Sequence, residues 1–133
     1  MLKISNKKKA IICFVIIVVS MVIMPVTAFA KPPEGSKKWG KSINFWETDV
    51  KTVKKEDNSN KAYLSFTGAP YLCNLWLTSK KADGALATKK TKFKYKAEKK
   101  LSTGTINGDK VTLYAAREYI LDQLIACSGD WKP

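Results

Sequence analysis

After residue 60, apolar and polar residues alternate in short runs, a period of two that fits extended strands better than helices. From Ala62 to Thr67, the residues Ala62, Leu64 and Phe66 oppose Tyr63, Ser65 and Thr67, as in a half-buried strand, and Gly68-Ala69-Pro70 then turns the chain. Tyr71 to Thr78 places Tyr71, Cys73, Leu75 and Leu77 on one face and Leu72, Asn74, Trp76 and Thr78 on the other. Nearly apolar on both sides, this run predicts a central strand with Cys73 toward the core. Asp83-Gly84 marks a turn, and Thr91 to Ala97 alternates again, with Phe93, Tyr95 and Ala97 opposed by Lys92, Lys94 and Lys96.

Leu101 to Ile106 and Val111 to Ala116 flank Asn107-Gly108-Asp109-Lys110, which reads as a hairpin signal. A four-residue loop that pairs Ile106 with Val111 keeps apolar residues together, and it predicts Val111, Leu113 and Ala115 on the core face. Ahead of these strands, residues 31–41 carry Pro32, Pro33, Gly35 and Gly40 and read as an extended leader; Ser42 to Glu47 suggests a first strand, and Lys54 to Lys61 a loop. Ala115 to Ala126 is ambiguous, because Ala116, Tyr119, Ile120, Gln123, Leu124 and Cys127 follow helical spacing. It predicts a short helical turn near 116–123, or a loop, followed by a last strand running to Trp131. Together these elements predict an all-β chain: a small antiparallel β-sandwich of six to seven short strands, forming a single domain over 42–133.

The start of the chain follows a different pattern. Lys3, Lys7, Lys8 and Lys9 precede an uncharged apolar stretch from Ala10 to Met24, and Ala28-Phe29-Ala30 offers small residues at both positions of an A-x-A cleavage site. Residues 1–30 therefore read as a signal peptide cleaved after Ala30. The alternative is an uncleaved anchor, since the uncharged run is long enough to span a bilayer. Either way the lysine-rich start stays in the cytoplasm and the body lies outside, secreted or held on the outer face. Cys13 sits within the apolar stretch, away from the cleavage point, and does not indicate a lipoprotein.

Removing that segment changes the picture drawn by composition. The chain has 133 residues and a formal charge of +13. Residues 31–133 keep 20 of the 24 basic residues and all 11 acidic ones, leaving +9. Of three cysteines only Cys73 and Cys127 remain, an even pair that in an exported domain is most simply a disulfide. Closing so long a loop would stabilise the fold by about 4 kcal/mol in the chain-entropy account. The competing reading is a pair of free thiols. With no histidine in the chain, two cysteines do not complete a zinc shell, and no metal or cofactor is expected.

The same absence removes Ser-His-Asp and Cys-His catalysis, and no phosphate loop or dinucleotide fingerprint is present. Glu47 with Asp49, or Glu118 with Asp122, reads as solvated charge rather than an acid-base pair. Glu56, Asp57, Asn58 and Asn60 lack the spacing of a calcium loop and read as a solvated turn. A non-enzymatic protein is expected.

The surface signal is a lysine run: Lys89, Lys90, Lys92, Lys94, Lys96, Lys99 and Lys100. On a strand, Lys92, Lys94 and Lys96 would form a cationic ladder at intervals of about 7 Å, suited to an anionic surface. Lysines on an edge strand also protect against strand-to-strand aggregation, and the two roles are compatible. Arg117 is the only arginine, which disfavours nucleic acid. The expected partner is an anionic cell-envelope polymer or membrane surface. A bacteriocin-like or toxin-like effector is the alternative, with Trp39, Phe45, Trp46, Trp76 and Trp131 available as interfacial anchors.

From Asp49 to Pro133 the chain also resembles small exported domains of unknown function from Gram-positive bacteria, some encoded beside bacteriocin and transporter genes. The matching stretches are a lysine and asparagine loop before AYLSFTGAPY, then NLWLTS, GDKVTLYA and the closing SGDWKP. The resemblance implies a small secreted β-sandwich and transfers no catalytic residue.

Overall fold

The structure, a computed structural model, describes residues 31–133. The segment read as a signal peptide, with its expected cleavage positions Ala28 and Ala30 and with Cys13, lies outside the described residues. Eight strands form: β1 (Lys37–Ile43), β2 (Thr48–Lys54), β3 (Lys61–Phe66), β4 (Asn74–Lys81), β5 (Leu86–Lys94), β6 (Ala97–Ser102), β7 (Lys110–Arg117) and β8 (Ile125–Lys132). They make two four-stranded antiparallel sheets, in the orders β1-β8-β3-β6 and β2-β7-β4-β5. The expected all-β sandwich is present, with eight strands instead of six or seven and no helix among the described residues.

The connections follow from the alternation. Inward-facing Leu64 and Phe66 of one sheet meet Leu75, Leu77, Phe93, Val111 and Leu113 of the other, all fully buried. Only β4 and β5 form a hairpin, turned by Gly84 at φ 87°, and every other connection crosses between the sheets. The hairpin expected around Asn107-Gly108 is therefore a crossing: β6 pairs with β3, while β7 lies between β2 and β4. Gly108, at φ 96°, still makes the tight turn that the sequence signals, and Asp109 N–H closes it on the Ile106 carbonyl at 3.1 Å. Val111, Leu113 and Ala115 face the core as expected.

The first strand lies earlier than Ser42–Glu47, leaving residues 44–47 as a connection, and β2 forms where the pattern suggested no strand. β1 starts at Lys37, inside the segment read as a leader, because Trp39 and Ile43 are its buried positions and Lys41 between them interrupts the alternation. β2 carries a register shift between Asp49 and Lys51, which puts Val50 and Val53 on the core side out of a strict period of two.

Four strands are edges: β1 and β6 of one sheet, β2 and β5 of the other. Lysine side chains close both open flanks. Lys41 of β1 donates to the Asp49 carbonyl of β2 at 2.6 Å, and Lys51 of β2 donates to the Lys38 carbonyl of β1 at 2.9 Å. On the opposite flank Lys99 of β6 donates to the Lys92 carbonyl of β5 at 2.8 Å. Each amine occupies a backbone acceptor that a foreign strand would otherwise use.

Candidate functional site

The seven candidate lysines gather on one flank of the sandwich, along the neighbouring edges β5 and β6. Lys89, Lys90, Lys92 and Lys94 lie on β5, while Lys99 and Lys100 lie on β6. Lys96 is not part of the expected ladder: it sits in the two-residue crossing between these strands with φ 54°, a left-handed conformation. The face formed on β5 is instead Lys90, Lys92 and Lys94. Trp76, on the adjoining β4, anchors it, with the amines of Lys90 and Lys92 at 5.5 and 5.7 Å from the ring centroid.

Of the seven, Lys92 alone has a carboxylate partner among the described residues, Glu118 at 2.8 Å. Glu118 also accepts from the Asn74 amide at 2.7 Å, and these two bonds, the lysine's first, hold its carboxyl below the ordinary range. The same pair raises Lys92. Glu118 is thus a clamp on the lysine face, and Asp122 is committed to Arg117 at 3.5 Å. Asp57, which the sequence offered as an oxygen ligand, is held below its usual value by the Ser59 N–H and by Lys132. Among the described residues no group of three or more Cys, Asp or Glu side chains is placed to hold a metal ion.

A depression of about 390 Å³ lies beside the lysine face, lined by Leu72, Cys73, Asn74, Lys94 and Tyr95. Cys73 and Cys127 are both free thiols, so the expected bridge between them is not formed. Cys73 falls in the loop ahead of β4, and the Cys127 thiol turns to the Ile125 carbonyl at 3.7 Å. Strand β8 does bring Cys127 into the neighbourhood of Cys73, whose charge would raise it further. Burial first and that neighbour second push the Cys127 thiol from 9.0 up to about 12. Tyr63 likewise rises from 10.0 to about 12, through burial and its bond to Glu98 at 2.7 Å.

Both groups fold in their protonated form, so their contribution is complete at neutral pH and is lost as pH rises from about 9 to about 12. Urea denaturation at a series of alkaline pH values should show stability falling across that window. In Cys127→Ala and Tyr63→Phe the fall should be shallower, and an unchanged slope in both would contradict this assignment.

The ambiguous segment, Ala115 to Ala126, is divided between the end of β7, a loop over residues 118–124 and the start of β8. β7 continues through Arg117, so the helical turn expected near 116–123 does not form. Arg117, buried, ties this loop to the one before β4: its guanidinium donates to the Gln123 carbonyl at 2.5 Å and to the Tyr71 hydroxyl at 3.2 Å. Tyr119, Ile120 and Leu124, whose spacing suggested a buried helix face, are exposed. Three consecutive large apolar residues, Tyr119-Ile120-Leu121, were the signal for this, because one face of a helix cannot bury all three.

No protein-family model, curated protein or solved structure matches this chain.

Proposed function

We propose that this protein is a small exported, non-enzymatic binding module that associates with anionic cell-envelope material through the flank formed by β5 and β6. One observation carries the reading. Six of the seven lysines gathered there have no carboxylate partner among the described residues, leaving their charge available to an external anion. Edge protection accounts for Lys99, whose amine is spent on the Lys92 carbonyl. It does not require a further five cations on the same flank.

The test uses protein purified from a secreting host, with its N-terminus determined, and envelope material sedimented at low salt. Replacing Lys89, Lys90, Lys94 and Lys100 together with glutamine should weaken association by about 100-fold or more, at roughly 1 kcal/mol for each lysine near an anionic surface. Association equal to that of the unmodified protein would contradict the assignment. An effector acting on membranes is the second reading, favoured by Leu72 and Leu121 standing in solvent. Release of dye from anionic vesicles would support it, and intact vesicles with bound protein would support the module.

A further inference from the structure

The four connections β1–β2, β3–β4, β5–β6 and β7–β8 all emerge at one end of the sandwich. Ile43 at the end of β1 faces Ile125 at the start of β8, and Leu75 near the start of β4 faces Arg117 at the end of β7. The Arg117 N–H donates to the Asn44 carbonyl at 2.7 Å, which joins the two sheets at this level. Nine large apolar side chains are exposed among the described residues, and seven belong to these connections; only Leu86 and Ile106 lie elsewhere.

The tip is built, not frayed. The Tyr119 N–H donates to the Asp122 carboxylate at 2.9 Å and the Asp122 N–H to the Tyr119 carbonyl at 3.0 Å. That closed turn leaves Ile120 and Leu121 at its apex, Leu121 being 91% exposed. Through Arg117 the turn is fastened to Tyr71, beside which Leu72 stands 83% exposed. Trp46 projects from the β1–β2 connection next to Asn44, packed edge-on against Phe45. Holding these side chains in water has a cost that their own core does not relieve.

Cations line the β5–β6 side of the same end. Lys94 shares the depression with Leu72, Lys96 occupies the β5–β6 crossing, and Lys92 is fixed beside the turn by Glu118. An apolar apex with lysines along one side is complementary to an anionic bilayer: headgroups meet the lysines while the apolar side chains pass below them. A soluble polyanion would satisfy the lysines and leave the apex in water. We infer that the loop tip formed by Leu72, Ile120, Leu121 and Trp46 inserts into the interfacial region of an anionic lipid bilayer. The inference rests on the envelope-binding reading and names the lipid membrane as the partner.

The experiment compares the unmodified protein with Ile120→Ser/Leu121→Ser, and independently with Leu72→Ser, on vesicles containing phosphatidylglycerol and on beads bearing a soluble phosphate polymer. All three positions are exposed, and circular dichroism is used to check that the variants fold. Vesicle affinity should fall about tenfold or more in the double variant, with bead affinity unchanged. Lipids brominated in the acyl chain should quench Trp46 fluorescence in the unmodified protein and lose that effect in the variant. Equal vesicle affinity in both proteins without quenching would overturn insertion and leave the lysine-flank reading standing, whereas failure of the unmodified protein to bind either material would remove both. A dimer that the same substitutions dissolve, with no vesicle binding, would show that the tip covers a second copy and would also overturn the inference.

Discussion

Gly129→Ala is expected to cost about 3 kcal/mol of stability, near the upper end for added bulk in a packed core. Gly129 is an inward position of β8, directly opposite Trp39 of β1. The Trp39 indole crosses it to donate to the Ser65 carbonyl of β3 at 3.2 Å. A Cβ at residue 129 would overlap that carbonyl oxygen and lie 2.9 Å from the indole nitrogen. Backbone and a fully committed aromatic ring are the obstacles, so no flexible side-chain end can swing away. Relief requires β8 to part from β3 or Trp39 to leave the core, and either step disturbs Phe66, whose ring centroid is 6.5 Å from that of Trp39. For a domain of this size the thermal midpoint should drop by roughly 12–20 °C. A drop below about 3 °C would show that the Trp39 contact is not a determinant of the fold.

Lys55→Ala should be nearly as damaging, at about 3 kcal/mol. Lys55 is 1% exposed, an unusual position for a lysine, and lies in the loop after β2. Its amine donates to the Pro133 carbonyl at 2.7 Å and lies 3.5 Å from Asp57, which also holds Lys132 at 3.1 Å. Its backbone exchanges bonds with the β6–β7 crossing, accepting from Gly108 and donating to Asp109. One residue thus fastens β8 and a crossing loop at the end of the sandwich opposite the apolar tip. Alanine removes the buried stem and the donor together, leaving a void and an unpaired acceptor. Lys55→Met restores the stem without the charge and should recover part of the loss. If alanine and methionine both match the parent midpoint in urea, the buried amine is not a fastening.

The interior of the sandwich was legible where alternation is strict. Leu75 to Leu77 and Val111 to Ala115 fall on the faces that their period of two implies, because burial of one face leaves each strand a single acceptable register, whereas Ala62 to Phe66, expected to be half-buried, is buried on both faces, Tyr63 and Ser65 included. β2 was missed because its register shift breaks that period, and β1 because Lys41 occupies a core-side position at an open edge, where its amine finds the Asp49 carbonyl. The Asn107-Gly108 turn was read correctly as a turn and incorrectly as a hairpin, since local turn chemistry does not say which sheet the next strand joins. Gly129 and Lys55 were illegible for a related reason: their roles depend on Ser65 and Pro133, distant in sequence.

The lysine flank was legible as composition, yet its geometry needed the fold to put β5 and β6 on adjoining edges. The apolar tip misled because helical spacing and a consecutive apolar triple coexist between Ala115 and Ala126. The triple was the signal that a helix face could not bury them all, and in the structure, where β7 runs on through Arg117, Ile120 and Leu121 stand exposed.

Attachment to an anionic surface by available lysine charge on the β5–β6 flank, as proposed, makes binding salt-dependent. Binding to purified envelope material is followed by sedimentation from about 20 to about 300 mM salt, a range over which screening shortens severalfold. Association at the low end should weaken at least tenfold across the series. Binding that is absent at low salt, or that ignores added salt, would contradict that attachment.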